Sequence, residues 1–432
     1  MPHLDTLETR APAEREAALM AALPRQVAHA QQHSAAYAEL LAGVDAASIC
    51  SREALARLPV LRKQELLDRQ KAERATDPLG GFSTIGWTGW RGRSASAVQG
   101  ARAARRIYQS PGPIYEPEGH AADYWRSARA LAAAGFEAGD LIHNCFSYHL
   151  TPGAWIMESG AHALGCTVFP GGVGNTEQQL AAMADLRPVG YTGTPSFLKI
   201  LLEKAAELGF QPSITKALVS GEAFPPSLRD WLAERGVAGY QCYATADVGL
   251  IAYETSAREG LMLDEQVIVE IVRPGTPDPV PEGEVGEVVV TVLNPDYPLV
   301  RFGTGDLSAV LPGTCPTGRT NTRIRGWLGR ADQTTKVRGM FVHPAQVAEV
   351  ARRCPGVLRA RLVVSGEMAN DQMHLHVEVG SAESEAESQS ALRAVLESAL
   401  RDVTKLRGNI VFATAGSLPN DGKVIEDART YQ

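Results

Sequence analysis

Tyr297-Pro-Leu-Val-Arg-Phe-Gly-Thr-Gly-Asp-Leu-Ser-Ala-Val310 and, beyond a Pro/Gly loop, Arg323-Ile-Arg-Gly-Trp-Leu-Gly-Arg-Ala-Asp-Gln-Thr-Thr-Lys-Val-Arg-Gly339 decide how this chain is read. The mostly apolar run from Tyr297 to Phe302 predicts a strand that stops at the glycine turn Gly303–Gly305. Asp306 then stands at the end of that strand with space for a ligand. A short, acceptor-only carboxylate suits a vicinal diol such as a ribose. Arg330, with five donors, stands near Asp332 just before the composition changes. The pair reads as a nucleotide clamp and a hinge, or as an ordinary Arg–Asp turn pair.

Outward from this stretch, 432 residues predict two or three domains and a large core. Apolar residues make up 44% and charged residues 21%, an ordinary globular balance. A net charge of −7 argues against a general nucleic-acid binder. No window approaches eighteen apolar residues, so no membrane span is expected. Residues 1–30 carry Asp5, Glu8, Glu14 and Glu16 and read as something other than a signal peptide. Six scattered cysteines without a CxxC pair fit reduced thiols in a cytoplasm.

Residues 7–45 have helical periodicity, and a second helical stretch runs from Glu53 to Arg74. Gly80 to Gly100, with Arg91 and Arg93, reads as an exposed loop insertion, because no strand precedes it and no GK[ST] follows. From Asp123 helix and strand alternate, which predicts a mainly parallel sheet. The strands are expected at 141–147, 167–169, 191–194 and 216–220, with helices at 124–134 and 155–164. GGVGNTEQQL (171–180) reads as a glycine loop, an N-cap and a capping-box glutamine. Gly221-Glu222-Ala223 at a strand end leaves room for a planar base against the backbone. Residues 267–272 and 285–293 predict a distorted antiparallel sub-sheet. After Asp332 the pattern is α+β: helices near 345–353 and 388–403, strands at 358–364, 374–379 and 410–413.

Taken together, RFGTGDLSAVLPG, LGRADQTTKVRGMFVHPAQV and the late Ser417-Leu-Pro-Asn-Asp-Gly-Lys423 resemble the adenylate-forming superfamily of acyl-CoA synthetases. Within it the similarity is to phenylacetate–CoA ligases, from about Leu58 to Lys423. The resemblance implies a fold of class α/β: a large N-terminal α/β adenylate-forming domain with a β sub-sheet (1–331) and a small, mobile α+β C-terminal domain (332–432). It implies ATP-dependent activation of a carboxylic acid, aryl or arylacetic, to an acyl-AMP, then transfer to CoA. A non-CoA acceptor, or a nucleotide- or acyl-binding homologue without ligase activity, stays open as an alternative.

The same resemblance carries roles onto residues. Lys423 would meet the carboxylate and the α-phosphate, Thr245 the phosphate, and Asp247 a magnesium ion. Tyr243 would stack on adenine beside Gly221, Glu222 and Ala223, while Asp306 and Arg330 hold the nucleoside and Asp332 is the hinge. Phe146, Tyr148, Thr151 and Ser220 would line the acyl pocket. The cofactors implied are ATP/AMP, magnesium and CoA, and the partners a small carboxylic acid and CoA. No nucleic acid and no membrane are expected, and a homodimer is left open.

Two places depart from the pattern. RRIYQSPGPIYEPEG (105–119) falls where the family has its phosphate loop. Ser110, Gly112 and Pro117 remain, but Pro111 and Pro113 remove donors, Ile114 replaces a threonine and Glu116 a lysine. The expectation is a loop by position that is impaired by composition, unless Glu116 turns away and Arg105 or Arg106 supplies charge. Some relatives also carry a Cys/His set with zinc-like spacing. Here Thr255, Met262 and Thr317 stand in three of those positions beside Cys315, so no zinc is expected.

Overall fold

The computed structural model describes residues 3–90, 103–331, 333–366, 370–380, 386–419 and 423–429, with side chains from 389 onward in the helix that begins at 386. The chain divides into a unit of residues 1–224 and 228–328, and a second of 225–227 and 329–432.

Among the described residues the first unit is built on two main sheets and a separate two-stranded hairpin. The larger sheet has nine strands. Five of them are parallel neighbours, in the order Thr167–Phe169, Leu141–Asn144, Gly190–Gly193, Lys216–Val219 and Ala238–Thr245. Helices Gly153–Leu164, Thr176–Leu186, Pro195–Glu207 and Pro226–Ala233 connect them. Parallel strands need such crossovers, which is why the sequence alternates here. Beyond Ala238–Thr245 the sheet turns antiparallel through Gly249–Glu254 and Leu261–Leu263. The smaller sheet runs Leu61–Arg62, Phe302–Ser308, Gly286–Val292, Val267–Val272.

The N-terminal helix Pro12–His33 buries Leu19, Leu23 and Val27 in the same cluster as Val288, Val290 and Phe302. Each fully buried Leu or Val there contributes about 1.5–3 kcal/mol. Gln26 Nε2 ties the helix to the Val292 and Asn294 carbonyls at 3.1 and 2.8 Å.

Two expectations are corrected. The strand predicted over 297–302 begins where it was expected to end: Phe302–Ser308 is the strand, and Asp306 lies inside it. Arg301, with φ +47°, breaks the chain before it. Its fully buried guanidinium pairs with Glu270 at 3.0 Å and donates to the Pro277 carbonyl at 2.7 Å. Pairing on both sides overrides the poor strand propensity of Gly303, Gly305 and Asp306. Second, 81–86 is not an exposed insertion but buried: Gly81 O accepts from Ala36 N at 3.1 Å and Thr84 N donates to Asp296 O at 3.0 Å. Arg91 and Arg93 lie outside the described residues.

The second unit has a sheet ordered Asn409–Ala413, Gln372–Val379, Val357–Ser365, Ile425–Asp427, with helices Pro344–Arg353 and Ala386–Thr404 packed on it through Val347, Val350, Leu396 and Leu400. A hairpin, Thr335–Val337 with Met340–Val342, and the strand Ile425–Asp427 were not read from the sequence. Among the described residues no helix is long and apolar enough to cross a membrane.

Candidate active site

Asp306 links the two sheets of the first unit. Its Oδ2 accepts from the Tyr243 hydroxyl at 2.8 Å, and Tyr243 belongs to the strand Ala238–Thr245 of the larger sheet. The same hydroxyl lies 3.1 Å from Thr304 Oγ1, which itself donates to Val288 O. Asp306 Oδ1 accepts from Trp327 Nε1 at 3.1 Å. A buried carboxylate is thus held by two donors, with both oxygens addressed and Trp327 exposed at its edge. Tyr243 was read only as a ring to stack on adenine; in the structure its hydroxyl also orients Asp306. Trp327 was not singled out, although an indole two residues before Gly329 is a donor a carboxylate would use. Arg330 is half-buried and belongs to the second unit, and Asp332 lies outside the described residues.

Gly221 and Glu222 are exposed at the end of Lys216–Val219, and Gly221 has φ +83°, a conformation that favours glycine. Glu222 Oε1 accepts from Ser196 N at 2.7 Å, a carboxylate on the first turn of Pro195–Glu207. Ala223 is half-buried. Ser220 Oγ donates to Cys242 O at 2.8 Å.

The expected phosphate side is built differently. Arg106–Ser110 and Ile114–Glu118 form an antiparallel hairpin. Glu116 is fully buried and points inward, against the expectation of a carboxylate facing a triphosphate. Its Oε2 accepts from Ser110 N at 3.3 Å, and Oε1 shares a hydrogen bond with Ser110 Oγ. Burial first, and the Asp247 charge second, hold the Glu116 carboxyl well above the usual range, which favours its neutral form. Ser110 is therefore engaged, and a Cβ on Gly112 would meet Ile114 Cγ1 at 2.9 Å, so this backbone faces packing. Arg106 does not supply charge either. It pairs with Glu118 at 3.1 Å and lies over the Trp155 ring at 3.8 Å.

Asp247 is buried beside Glu116, and its Oδ2 accepts from Lys63 Nζ at 2.9 Å. Its Oδ1 has no hydrogen-bond partner among the described residues. Magnesium demands octahedral oxygens at about 2.0–2.1 Å and keeps several waters. One Asp247 oxygen carries an ammonium and the other is enclosed, so these residues do not fit a magnesium ion as arranged. Thr245 Oγ1 accepts from Val248 N at 3.1 Å and shapes the turn that carries Asp247.

On the acyl side one residue that was not singled out organises the others. Asn144, buried at the end of its strand, accepts from Phe146 N at 3.3 Å and Thr192 Oγ1 at 3.0 Å. It donates to Tyr148 Oη at 2.9 Å and Ala154 O at 3.0 Å. Tyr148 in turn donates to Glu158 Oε2 at 2.7 Å, and burial pushes its phenol pKa up. Thr151 is half-buried, with its N–H on His149 O at 2.7 Å. The capping-box glutamine expected within 171–180 does not cap the helix. Asn175, at φ +47°, makes no side-chain cap bond, and Gln179 turns instead into the glycine loop.

In the second unit Lys423 is exposed on a tied segment. Leu418 N donates to Glu378 at 2.7 Å, Arg359 donates to Leu418 O at 2.9 Å, and Val424 N donates to Gln333 Oε1 at 2.6 Å. Asn420 to Gly422 lie outside the described residues.

The four zinc-like positions do converge in part. Cys315 Sγ lies 3.6 Å from Thr255 Oγ1 and 3.0 Å from Thr317 Oγ1, and Met262 is buried in the same cluster as Cys315. Hydroxyls and a thioether there make hydrogen bonds and packing. No group of three or more His, Cys, Asp or Glu side chains suited to a metal occurs among the described residues.

Residues 121–292 match the model of the AMP-binding enzymes. The chain is 32% identical to the phenylacetate-coenzyme A ligase of Thermus thermophilus over 400 residues, 88% of this chain and 84% of the relative. It is 32% identical to the Escherichia coli phenylacetate-coenzyme A ligase over 239 residues, 52% of this chain and 54% of that one. A solved 2-hydroxyisobutyryl-CoA ligase in complex with its acyl-AMP and CoA, in the thioesterification state, shares the fold. It has a TM-score of 0.80 at 23% identity, over 100% of this chain and 94% of that one.

Proposed function

Because this chain belongs to the phenylacetate-coenzyme A ligase family of AMP-binding enzymes, we propose that it activates a carboxylic acid, aryl or arylacetic, with ATP and passes the acyl group to CoA. The observation that carries this reading is Asp306, held between Tyr243 and Trp327, with Tyr243 on the strand that pairs with Lys216–Val219, after which Gly221 and Glu222 are exposed. An oriented acceptor for two hydroxyls, and an exposed strand end for a flat base on the neighbouring strand, are what a nucleoside needs.

A carboxylate is a poor acyl donor because its leaving group would be oxide. In the first half-reaction a carboxylate oxygen attacks the α-phosphorus and pyrophosphate leaves. In the second a thiol attacks the acyl carbon, AMP leaves and the thiol proton is released. The first step gathers negative charge, so it needs a cation placed at that charge. Lys423 is the group we assign to it. Asp306 and Tyr243 position the nucleoside, with Gly221, Glu222 and Ala223 along the base and Arg330 on the sugar–phosphate side. Phe146, Tyr148, Thr151 and Ser220 receive the acid. The 1–331 and 332–432 domains serve the two half-reactions in turn, with Asp332 as the hinge. No step is assigned to a magnesium ion held by Asp247, whose carboxylate carries Lys63. Six free thiols support a cytoplasmic setting.

The test is acid-dependent ATP–pyrophosphate exchange over a panel of small acids, then thioester formation from supplied acyl-AMP and CoA. Lys423→Ala should lose exchange by about 10²–10³-fold, as removal of a transition-state charge partner does, while thioester formation changes far less. Equal loss in both would reject the role given to Lys423.

A further inference from the structure

Gln179 uses its whole carboxamide inside the protein. It is 3% exposed and sits in the first turn of Thr176–Leu186. Its Nε2 donates to Gly172 O at 3.0 Å and to Gly174 O at 2.6 Å. Its Oε1 lies 2.7 Å from His143 Nε2 and accepts from Cys145 Sγ at 3.1 Å. An amide oxygen only accepts, so the His143 proton is on Nε2, and burial holds that imidazole neutral by lowering its pKa. Both hydrogens and both lone-pair directions of the amide are then used.

The loop this amide grips is fitted to the end of the strand Leu141–Asn144. A Cβ on Gly171 would stand 2.7 Å from His143 Nε2 and 2.8 Å from Gln179 Oε1, so only glycine passes. Gly172 N donates to Asn144 O at 2.9 Å, and a Cβ on Gly172 would lie 3.9 Å from the Tyr148 ring. The loop is therefore a wall beside Tyr148, whose hydroxyl Asn144 and Glu158 hold from the other direction. Two loop carbonyls that would otherwise present lone pairs to nearby groups are satisfied by the Gln179 amide.

We propose that Gln179 is the positioning residue that fixes loop 171–174 against Tyr148 and so sets which acids the pocket accepts. This rests on the ligase reading, with Tyr148 in the acid pocket. Gln179 touches no substrate in this account; it acts through the loop. Gln179→Glu keeps the shape but loses both donors. Gln179→Met loses all four bonds.

The measurement is acid-dependent exchange, with KM for ATP and for each acid of a graded panel, alongside the thermal midpoint of every variant. Both variants should raise acid KM about 10–100-fold, since two buried hydrogen bonds are lost in Gln179→Glu and four in Gln179→Met and the acid feels the loss only through the loop, and change the order of preference among the acids. The KM for ATP should stay within about twofold, since the loop is remote from Asp306 in role. Cys145→Ala should shift acid preference slightly in the same direction, and Cys145→Ser, which keeps a donor, should restore it. If the Gln179 variants fail to fold, this Cys145 pair alone decides. Preference unchanged in every variant that folds, or KM for acid and ATP rising together, overturns the role of Gln179 and leaves the ligase reading standing. No acid-dependent exchange in the wild-type protein would overturn both.

Discussion

The sugar side and the phosphate side of the expected nucleotide site come from the same unit and are built on opposite plans. At Asp306 the polar groups are presented: a carboxylate with both oxygens oriented by Tyr243 and Trp327, at the edge of solvent. At Glu116 they are consumed. Ser110 hydrogen-bonds Glu116 and Lys63 pairs with Asp247, and the Glu116 carboxyl is fully buried with its neutral form favoured. A matching motif thus corresponds to an oriented acceptor beside an exposed indole, and a degraded one to a side chain recruited into the core. Residue identity alone therefore overstated the electrostatic conflict. Repulsion between a triphosphate and Glu116 requires a charge, and burial disfavours it.

The comparison breaks most visibly at Glu116→Lys. If Glu116 faced a phosphate, this change would improve ATP binding. In the structure it places an ammonium in a fully buried site beside Asp247, whose carboxylate already pairs with Lys63. We expect a loss of about 3–5 kcal/mol in stability, as for a buried charge whose opposite partner is already taken, read by urea or thermal unfolding, and no gain in ATP affinity by calorimetry. Tighter ATP binding at unchanged stability would show that the hairpin does turn its carboxylate outward.

Asp306→Ala sharpens the other side. It removes the acceptor while leaving Tyr243 and Trp327 in place, and should weaken AMP and ATP together by about 100-fold, near 2.7 kcal/mol. Unequal losses for the two nucleotides would mean that Asp306 senses the phosphates and not the sugar.

The smallest effect is expected from Glu116→Gln. A neutral amide replaces a neutral acid, so stability near pH 5 should change by under about 1 kcal/mol. The pH dependence has a definite sign. The folded protein holds this proton more tightly than the unfolded chain. The stability it contributes is present below the ordinary value of 4.5 and is lost as pH rises through the raised folded value. The glutamine variant should therefore gain on the wild type as pH increases. A difference independent of pH from 5 to 9 would place the charged form of Glu116 in the native state.

Much of the architecture was legible. The strand at 167–169 falls where alternation put it, and the helices and strands after Asp332 begin and end within a few residues of their expected positions. Strong periodicity and β-branched runs set these elements locally. Errors fell where distant partners decide. The strand Phe302–Ser308 exists because neighbours pair with it on both sides, and 81–86 is buried because Ala36 and Asp296 receive its backbone. Among the proposed site residues, Asp306 and Tyr243, which the structure joins by a hydrogen bond, were named from motifs, whereas Asn144, Gln179 and Trp327 were not. Neutral amides and an indole carry no charge pattern in a sequence. Their importance arises from donors and acceptors brought together across 35 residues between Asn144 and Gln179.

The sequence by itself determined the family, the order of helices and strands, and the carboxylate expected to meet a nucleoside, because those depend on local periodicity and on short motifs. Only the tertiary structure decided that Glu116 is a core residue whose neutral form is favoured, that Asp247 is paired with Lys63, and that Gln179 grips the glycine loop. The reason is physical. Ionisation, and the partners of a buried polar group, are set by what surrounds it in three dimensions, and a linear sequence states the group without its surroundings.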